Sequence, residues 1–233
     1  HEVVEVLVGE SSSRILPGFF NRNIQAPVKR FISPNFLPAA DNKRANLTKS
    51  FAYNLLRLPE YLRSMYYINQ RIRETGAEVV INFYELLTGL TYAFFRPSVP
   101  YICVGHQYLF LHRDFEFPDK NSCQLWMLRF FTRMTALRSS KKLALSFLEM
   151  EQDDMNQIVT VPPLIRQEVT AIRPEKGDYI HGYMVNSGFA DSVESFHAKH
   201  PEVPLTFFWD RSDAEEVTRI DETLSFHQID DVK

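Results

Sequence analysis

Two side chains that can exchange a proton follow two neighbouring predicted strands. Glu85 comes shortly after the strand-like run Glu78–Phe83, and His106 follows the run Val99–Val104. A carboxylate and an imidazole can act as a general base or orient a hydroxyl group. Ligands of parallel sheets bind beyond the carboxyl ends of the strands, so we predict Glu85 and His106 as catalytic residues. Two plainer interpretations stay open: Glu85 caps the following helix, or His106 is a buried imidazole bonded to the backbone.

The same rule about strand ends selects further polar residues as candidates for ligand contact. They are Glu10 and Ser11 after the first strand, Asn82 after the second, Gln107 after the third, and Tyr183, Asn186 and Ser187 in the second half of the chain. The segment Asn186–Gly188 ends a strand and opens a helix, so its backbone N–H groups suit a phosphate. A simple turn is the alternative there.

Several other chemistries lack support in the sequence. The histidines are not accompanied by cysteines or carboxylates at metal-ligand spacing, so we predict no metal site. The chain has 8 glycines and neither a G-x-G-x-x-G nor a G-x-x-x-x-G-K-S pattern. Ser11–Ser13 lacks the G-x-S-x-G context of a serine hydrolase. Cys103 lies inside an apolar strand, which favours a core position over a nucleophile.

Length and composition indicate a globular protein. The chain has 233 residues, of which 45% are hydrophobic and 24% charged. No apolar run approaches the ~20 residues that span a bilayer, and the N-terminus shows no signal-peptide pattern. With two cysteines, Cys103 and Cys123, a reducing cytoplasm is the simplest expectation.

Charge is unevenly distributed along the chain. Residues 11–73 carry a net charge of +9, whereas residues 201–233 carry −6. This asymmetry predicts that the first region meets an anionic partner, either a phosphate-bearing ligand or a membrane surface. A solvated helix face balanced by acidic loops is the alternative. Because the pI is about 6.2 and no recognition motif occurs, we predict no nucleic-acid partner.

Periodicity predicts two successive α/β segments. In the first we expect strands at 3–8, 78–83, 99–104 and 142–147, an irregular stretch at 15–40, a helix from Asn46 that Pro59 kinks or restarts, and helices at 85–95 and 121–139. In the second we expect strands at 179–185, 205–209 and 224–227, a helix at 188–199 and a short helix at 214–217. Alternating strands and helices predict parallel sheets. Pro162-Pro163 marks the boundary, giving domains 1–162 and 163–233.

Four segments together resemble bacterial glycosyltransferases of the GT-B fold. These segments are Glu78–Glu85, Val99–Gln107, and Val161–Arg166 followed by Lys176–Tyr183. The group is distantly related to the transferase that adds N-acetylglucosamine to the lipid-linked peptidoglycan precursor. The resemblance implies an α/β, GT-B-like fold with two Rossmann-like parallel-sheet domains. It also implies that the first domain lacks its N-terminal strand, that the second is truncated, and that the fragment alone is inactive.

The resemblance implies transfer of a sugar from a nucleotide-diphospho sugar to a sugar or lipid-linked acceptor, with no other cofactor. Glu85 and His106 would act on the acceptor side, beside the substrate-binding residues Glu10, Ser11, Asn82 and Gln107, and Arg166 would reach across from the hinge. Tyr183, Asn186 and Ser187 would bind the donor. We expect a cytoplasmic protein that contacts the inner face of the membrane through residues 11–73; the oligomeric state stays open.

Two other functions remain as alternatives. A nucleotide-sugar epimerase has the same two-domain architecture and transfers nothing to an acceptor. A non-enzymatic sugar- or phosphate-binding module would keep the cleft without turnover. Fold analogy carries much of the choice among the three.

Overall fold

The computed structural model describes residues 2–10, 20, 23–35, 37, 47–117, 123–184, 187–209, 211 and 213–228. The chain forms two compact units. Unit 1 is centred on Asn54–Thr170 and also takes in the first strand and Ile24–Pro34, and unit 2 is centred on Ala171–Lys233. Each unit is described by itself below.

Unit 1 contains two parallel sheets. In the first sheet, β1 (Val6–Glu10) pairs with β2 (Val28–Ile32), and Val6 lies opposite Val28. The second sheet has the order β3-β4-β5-β6, from β3 (Val80–Asn82), β4 (Tyr101–Val104), β5 (Lys141–Leu145) and β6 (Ile158–Val161). Since all these strands run in parallel within their sheets, the carboxyl ends within each sheet share one edge.

The helix α1 (Leu47–Leu56) divides between the units, with residues 47–53 in unit 2 and 54–56 in unit 1. The helices α2 (Leu58–Glu74), α3 (Leu86–Phe95) and α4 (Cys123–Thr135) connect strands of unit 1, and the short α5 (Gln167–Ala171) follows its last strand. A 3₁₀ helix, His106–Leu111, follows β4. Pro59 lies in the first turn of α2, where its missing N–H costs nothing, so the proline restarts the helix instead of kinking it.

The core of unit 1 combines apolar and polar side chains. From α2 it takes a stripe at helical spacing, Tyr61, Met65, Ile68 and Ile72. Tyr101 and Tyr108 are fully buried, and the Tyr108 hydroxyl shares a hydrogen bond of 3.1 Å with the Thr135 hydroxyl. Cys103 is buried beside them, as expected from its apolar strand.

Unit 2 is a four-stranded sheet with the order β7-β8-β10-β9. The parallel strands are β7 (Ile180–Met184), β8 (Leu205–Trp209) and β10 (Leu224–Gln228), and β9 (Val217–Arg219) runs antiparallel to β10. A 3₁₀ turn, Ser187–Phe189, leads into α6 (Ala190–His197). Trp209 stacks on the buried Phe226 with ring centroids 4.4 Å apart, which forms the centre of this unit's core.

The α/β architecture with parallel sheets confirms the predicted fold class. Three strands differ from the predicted elements. β2 lies within the stretch predicted to be irregular, and β6 immediately precedes Pro162. A short helix was predicted at 214–217, but Val217–Arg219 forms β9, because its β-branched residues pair with β10.

Among the helices in the described ranges, none is both long and apolar enough to cross a lipid bilayer.

Helices α3 and α4 pack backbone against backbone at Gly89. A Cβ atom there would lie 2.2 Å from the Met134 carbonyl oxygen, which cannot rotate away. We expect Gly89→Ala to lower the free energy of unfolding by about 3 kcal/mol, at the upper end for overpacking, in urea titrations. Gly76→Ala is the control: it meets open space but has φ +62, so the expected loss is about 1 kcal/mol. Equal losses in the two variants would contradict close packing at Gly89.

Candidate functional site

The candidate site lies at the carboxyl ends of three strands of unit 1. Gly9 and Glu10 end β1, Ser33 directly follows β2, and Glu85 follows β3 by three residues. The structure brings Gly9, Ser33 and Glu85 into direct contact. These three residues form what we call the Glu85 site.

The side chain of Asn82 builds the turn that carries Glu85. Asn82 is 3% exposed and its Oδ1 accepts a hydrogen bond of 2.9 Å from the Glu85 backbone N–H. Its Nδ2 donates to the carbonyl of Glu85 at 3.2 Å and to the carbonyl of Thr135 at 2.9 Å. The amide therefore fixes the Glu85 backbone and satisfies a carbonyl at the C-terminal end of α4.

The same turn contains a residue in the left-handed region. Tyr84 has φ 63, which costs a non-glycine residue about 1 kcal/mol or more. Its ring packs on Tyr108 and Phe131, each with centroids 5.7 Å away, and its hydroxyl shares a 2.8 Å hydrogen bond with Thr132. These contacts hold the turn in a conformation that the backbone alone disfavours.

The Glu85 carboxylate is held at the N-terminus of α3. Its Oε1 accepts hydrogen bonds from the Leu87 backbone N–H at 3.1 Å and from the Ser33 hydroxyl at 2.9 Å. The helix-cap interpretation is therefore correct, and it coexists with a position at the strand ends. Burial raises the pKa of Glu85 above its usual range, and the hydrogen bonds from Leu87, Ser33 and Leu86 only partly offset that shift.

Gly9 makes room for the carboxylate. A Cβ atom at Gly9 would lie 2.7 Å from Glu85 Oε2 and 2.8 Å from the Ser33 Cβ. Any side chain at this position would push Glu85 or Ser33 away. A partly buried carboxyl group with a raised pKa, fixed in orientation at the strand ends, has the properties of a general base or acid.

His106 and Gln107 follow β4, the neighbour of β3, and therefore lie at the same sheet edge as the β3–α3 turn. The His106 side chain is exposed, so the interpretation as a buried imidazole is wrong. Gln107 is partly buried, and its Oε1 covers Gly105. Within the described residues, neither side chain forms a hydrogen bond with Glu85, and their roles toward a substrate stay predictions.

The other predicted acceptor-side residues are placed as follows. Glu10 is exposed and accepts a hydrogen bond of 3.2 Å from Arg30. Ser11 lies outside the described residues. Asn82 is buried and bonded entirely within the protein, so a contact with substrate, which stays a prediction, would need the turn to open. Arg166 is exposed, and its carbonyl accepts hydrogen bonds at the start of α5.

The predicted donor-side residues belong to unit 2. Tyr183 lies on β7 opposite Phe208 of β8, with 61% of its side chain exposed. Ser187 opens the 3₁₀ turn before α6, as predicted for a strand-to-helix connection. Asn186 lies outside the described residues. Binding of a donor by these residues stays a prediction.

Ser33 is a site residue that the sequence analysis did not select. Its signal was present: it follows Val28–Ile32, and the rule about strand ends would have selected it had this segment been recognised as a strand. The described residues contain no cluster of three His, Cys, Asp or Glu side chains arranged to hold a metal ion.

Comparison with protein families gives a match over most of the chain. The family model described as glycosyl transferase family 1 matches residues 19–226, most of the chain. No curated protein and no solved structure matches the chain.

Burial of Glu85 has a consequence for stability. Because its pKa is raised in the folded state, ionisation destabilises the fold: the stability present below about pH 4.5 is lost as the pH rises through the raised pKa. Glu85→Gln keeps a hydrogen-bond acceptor and removes the charge. We expect thermal unfolding at neutral pH to show a higher midpoint for Glu85→Gln than for the wild type, with the difference closing toward pH 4. A lower midpoint for Glu85→Gln at neutral pH would mean that the α3 N-terminus stabilises the Glu85 carboxylate by more than burial destabilises it.

Loss of the Asn82 amide should destabilise unit 1. Asn82→Ala leaves the Glu85 N–H and the Thr135 carbonyl without their partner, at about 1–3 kcal/mol for each buried group. Urea unfolding measures the loss. Gln70→Ala is the matched control, because the exposed Gln70 amide donates to the side chain of Glu74 and to no other described residue, and we expect a change within about 0.5 kcal/mol. Similar values for the two variants would refute the structural role of Asn82.

Proposed function

Since the chain belongs to glycosyl transferase family 1, we propose that it takes part in transferring a sugar from a nucleotide-diphospho sugar to an acceptor hydroxyl, with Glu85 as the general base. The observation that carries this proposal is the Glu85 site: a partly buried carboxyl group with a raised pKa, oriented by Leu87 and Ser33 at the strand ends. A raised pKa makes the carboxylate a stronger base, which suits a group that must accept a proton in the reaction.

The proposed reaction needs little from the protein beyond position and charge. The acceptor oxygen attacks the anomeric carbon, its proton passes to the Glu85 carboxylate, and the nucleoside diphosphate leaves. His106 and Gln107, at the same sheet edge, would orient the acceptor. Helix N-termini and basic side chains, such as the exposed Arg166, would neutralise the leaving pyrophosphate. The nucleotide sugar is a substrate, and the proposal invokes no further cofactor.

Finer parts of the proposal rest on the sequence. Glu78–Glu85 and Val99–Gln107 resemble bacterial GT-B glycosyltransferases, which are distant relatives of the transferase that acts on the lipid-linked peptidoglycan precursor, and this relationship supports a membrane-associated acceptor. The net charge of +9 over residues 11–73 supports peripheral contact with an anionic surface. Two free cysteines agree with a cytoplasmic location at the inner face of a membrane. We also propose that the 233-residue chain by itself does not catalyse sugar transfer.

Donor binding is tested by thermal unfolding of the 233-residue chain and of the complete gene product with UDP, GDP and UDP-N-acetylglucosamine. A nucleotide at ~100 times its dissociation constant stabilises a protein by about 2.7 kcal/mol. We expect the complete protein to be stabilised by one of these ligands. Absence of any shift in both proteins would overturn the use of a nucleotide sugar.

The role of Glu85 is tested by nucleotide release and sugar transfer in the complete gene product. We expect Glu85→Gln to lower the turnover rate roughly 100- to 10,000-fold and to leave donor stabilisation unchanged. Gly9→Ala should lower turnover as well, since a Cβ atom there would displace the carboxylate. Glu151→Gln is the control at an exposed carboxylate that is ion-paired with Arg113, and it should change turnover little.

Two results would contradict this assignment. Retained turnover in Glu85→Gln would remove Glu85 as the base. If a nucleotide stabilises the wild-type protein but no sugar is transferred to any acceptor supplied, the result would favour the binding module over the transferase.

A further inference from the structure

One exposed face of unit 1 joins large apolar side chains to arginines. On α2 and at the end of α3, Leu62, Tyr66, Phe94 and Phe95 are 62%, 62%, 72% and 37% exposed. Arg73 and Arg96 lie beside them and are also exposed. We call these six residues the α2–α3 surface. Its four apolar side chains form a group, whereas exposed apolar residues are usually scattered singly over a protein surface.

The surface is continuous across the two helices. Leu62, Tyr66 and Arg73 follow one another on a single stripe of α2, which flanks the stripe that packs into the core. The Tyr66 ring meets the Phe95 ring edge to face, with centroids 6.4 Å apart. The aromatic part of the surface therefore bridges α2 and α3, and the two arginines follow at one end of it.

The arginines of this face lack acidic partners. The acidic residues of α2 are already occupied: Glu60 pairs with Arg57 and Glu74 with Arg71, both at 2.6 Å. In the described part of the chain, Arg63, Arg73 and Arg96 form no ion pair. The face as a whole carries an excess of positive charge.

A groove lies between the two arginines of the surface. Its volume is about 470 Å³, and its lining includes Ile72, Arg73, Arg96, Ser98 and Val99. Arginine and serine are residue types that bind phosphate groups well. The composition of the groove therefore suits a phosphate-bearing headgroup.

We propose that the α2–α3 surface docks on a bilayer that contains anionic phospholipids. Tyr66, Phe94 and Phe95 would enter the headgroup region, where aromatic side chains are favoured, and Arg73 and Arg96 would bind lipid phosphates. A second copy of the chain fits less well, because such a contact would bury arginines for which the six residues of this surface offer no acidic partner. The proposal deepens the membrane contact proposed above and is independent of the role of Glu85.

The test is co-sedimentation with vesicles of phosphatidylcholine alone or of an equal mixture with phosphatidylglycerol. We expect binding to the mixed vesicles only, weakened by added salt. Arg73→Gln with Arg96→Gln should lower partitioning about 25-fold, since each arginine near the surface contributes about 1 kcal/mol, or about fivefold. Tyr66→Ser with Phe95→Ser should also lower partitioning, through loss of apolar insertion.

Matched controls test whether vesicle binding depends on this surface or on exposed apolar side chains and positive charge anywhere in the protein. Phe147→Ser with Leu148→Ser removes side chains that are 87% and 75% exposed elsewhere on unit 1. Arg173→Gln with Lys176→Gln removes the same charge from exposed positions in the 171–178 segment. We expect both pairs to bind as the wild type does. Every variant is first required to unfold at the wild-type midpoint.

Three outcomes would overturn the proposal: equal binding to both vesicles, wild-type binding by the surface variants, or loss of binding in the controls to the same extent. A different result is that the wild type binds no vesicles and forms a dimer in sedimentation velocity, while the double variant Tyr66→Ser, Phe95→Ser is monomeric. That result would make this face an interface between copies of the chain. Stabilisation by nucleotide, measured on the same proteins, reports separately on the proposed function. A protein that fails to bind vesicles can still be stabilised by nucleotide, and a protein that nucleotide does not stabilise can still bind vesicles.

Discussion

The buried amide of Asn82 is the constraint on which the site depends. One side chain bonds both backbone groups of Glu85 and the last carbonyl of α4, 53 residues further along the chain. β3, α3 and α4 are therefore fixed relative to one another at the point where β3 ends. The left-handed Tyr84 is tolerated because its ring and hydroxyl are held by the 3₁₀ helix and α4. An oriented carboxylate requires such a rigid support, since a shift of about 1 Å weakens catalysis strongly.

Two opposing effects act on the Glu85 carboxylate. Burial disfavours its ionised form, whereas the α3 N-terminus and the Ser33 hydroxyl favour it. Burial dominates, so the group stays a better proton acceptor than an exposed glutamate. Gly9 adds the steric condition: only a residue without a side chain leaves space for Oε2. The site therefore combines a local cost in stability with a geometry that three separate strands must maintain, which is typical of functional positions.

Local patterns predicted the parts of the fold that depend on neighbouring residues. Apolar runs located β3, β4, β7, β8 and β10, and the position of Glu85 after β3 selected it as a site residue. β2, in contrast, lies in a segment rich in Pro, Asn and Phe, and its pairing with β1 across 22 residues decides its structure. Ser33 was missed with it. The role of Asn82 was beyond reach, because its partner Thr135 becomes a neighbour only once α4 packs on α3.

The charge of the basic region also depends on the fold. Counted along the sequence, residues 11–73 have a large positive excess, but several of these side chains are neutralised in place. Arg30 pairs with Glu10, Arg57 with Glu60, and Arg71 with Glu5, whose side chain is only 6% exposed. What remains on the described surface of α2 is Arg63 and Arg73, joined there by Arg96 from beyond the region. Arg73 and Arg96 thus stay beside the aromatic side chains of the α2–α3 surface, and the local density of charge contributes to the attraction between a protein and an anionic surface.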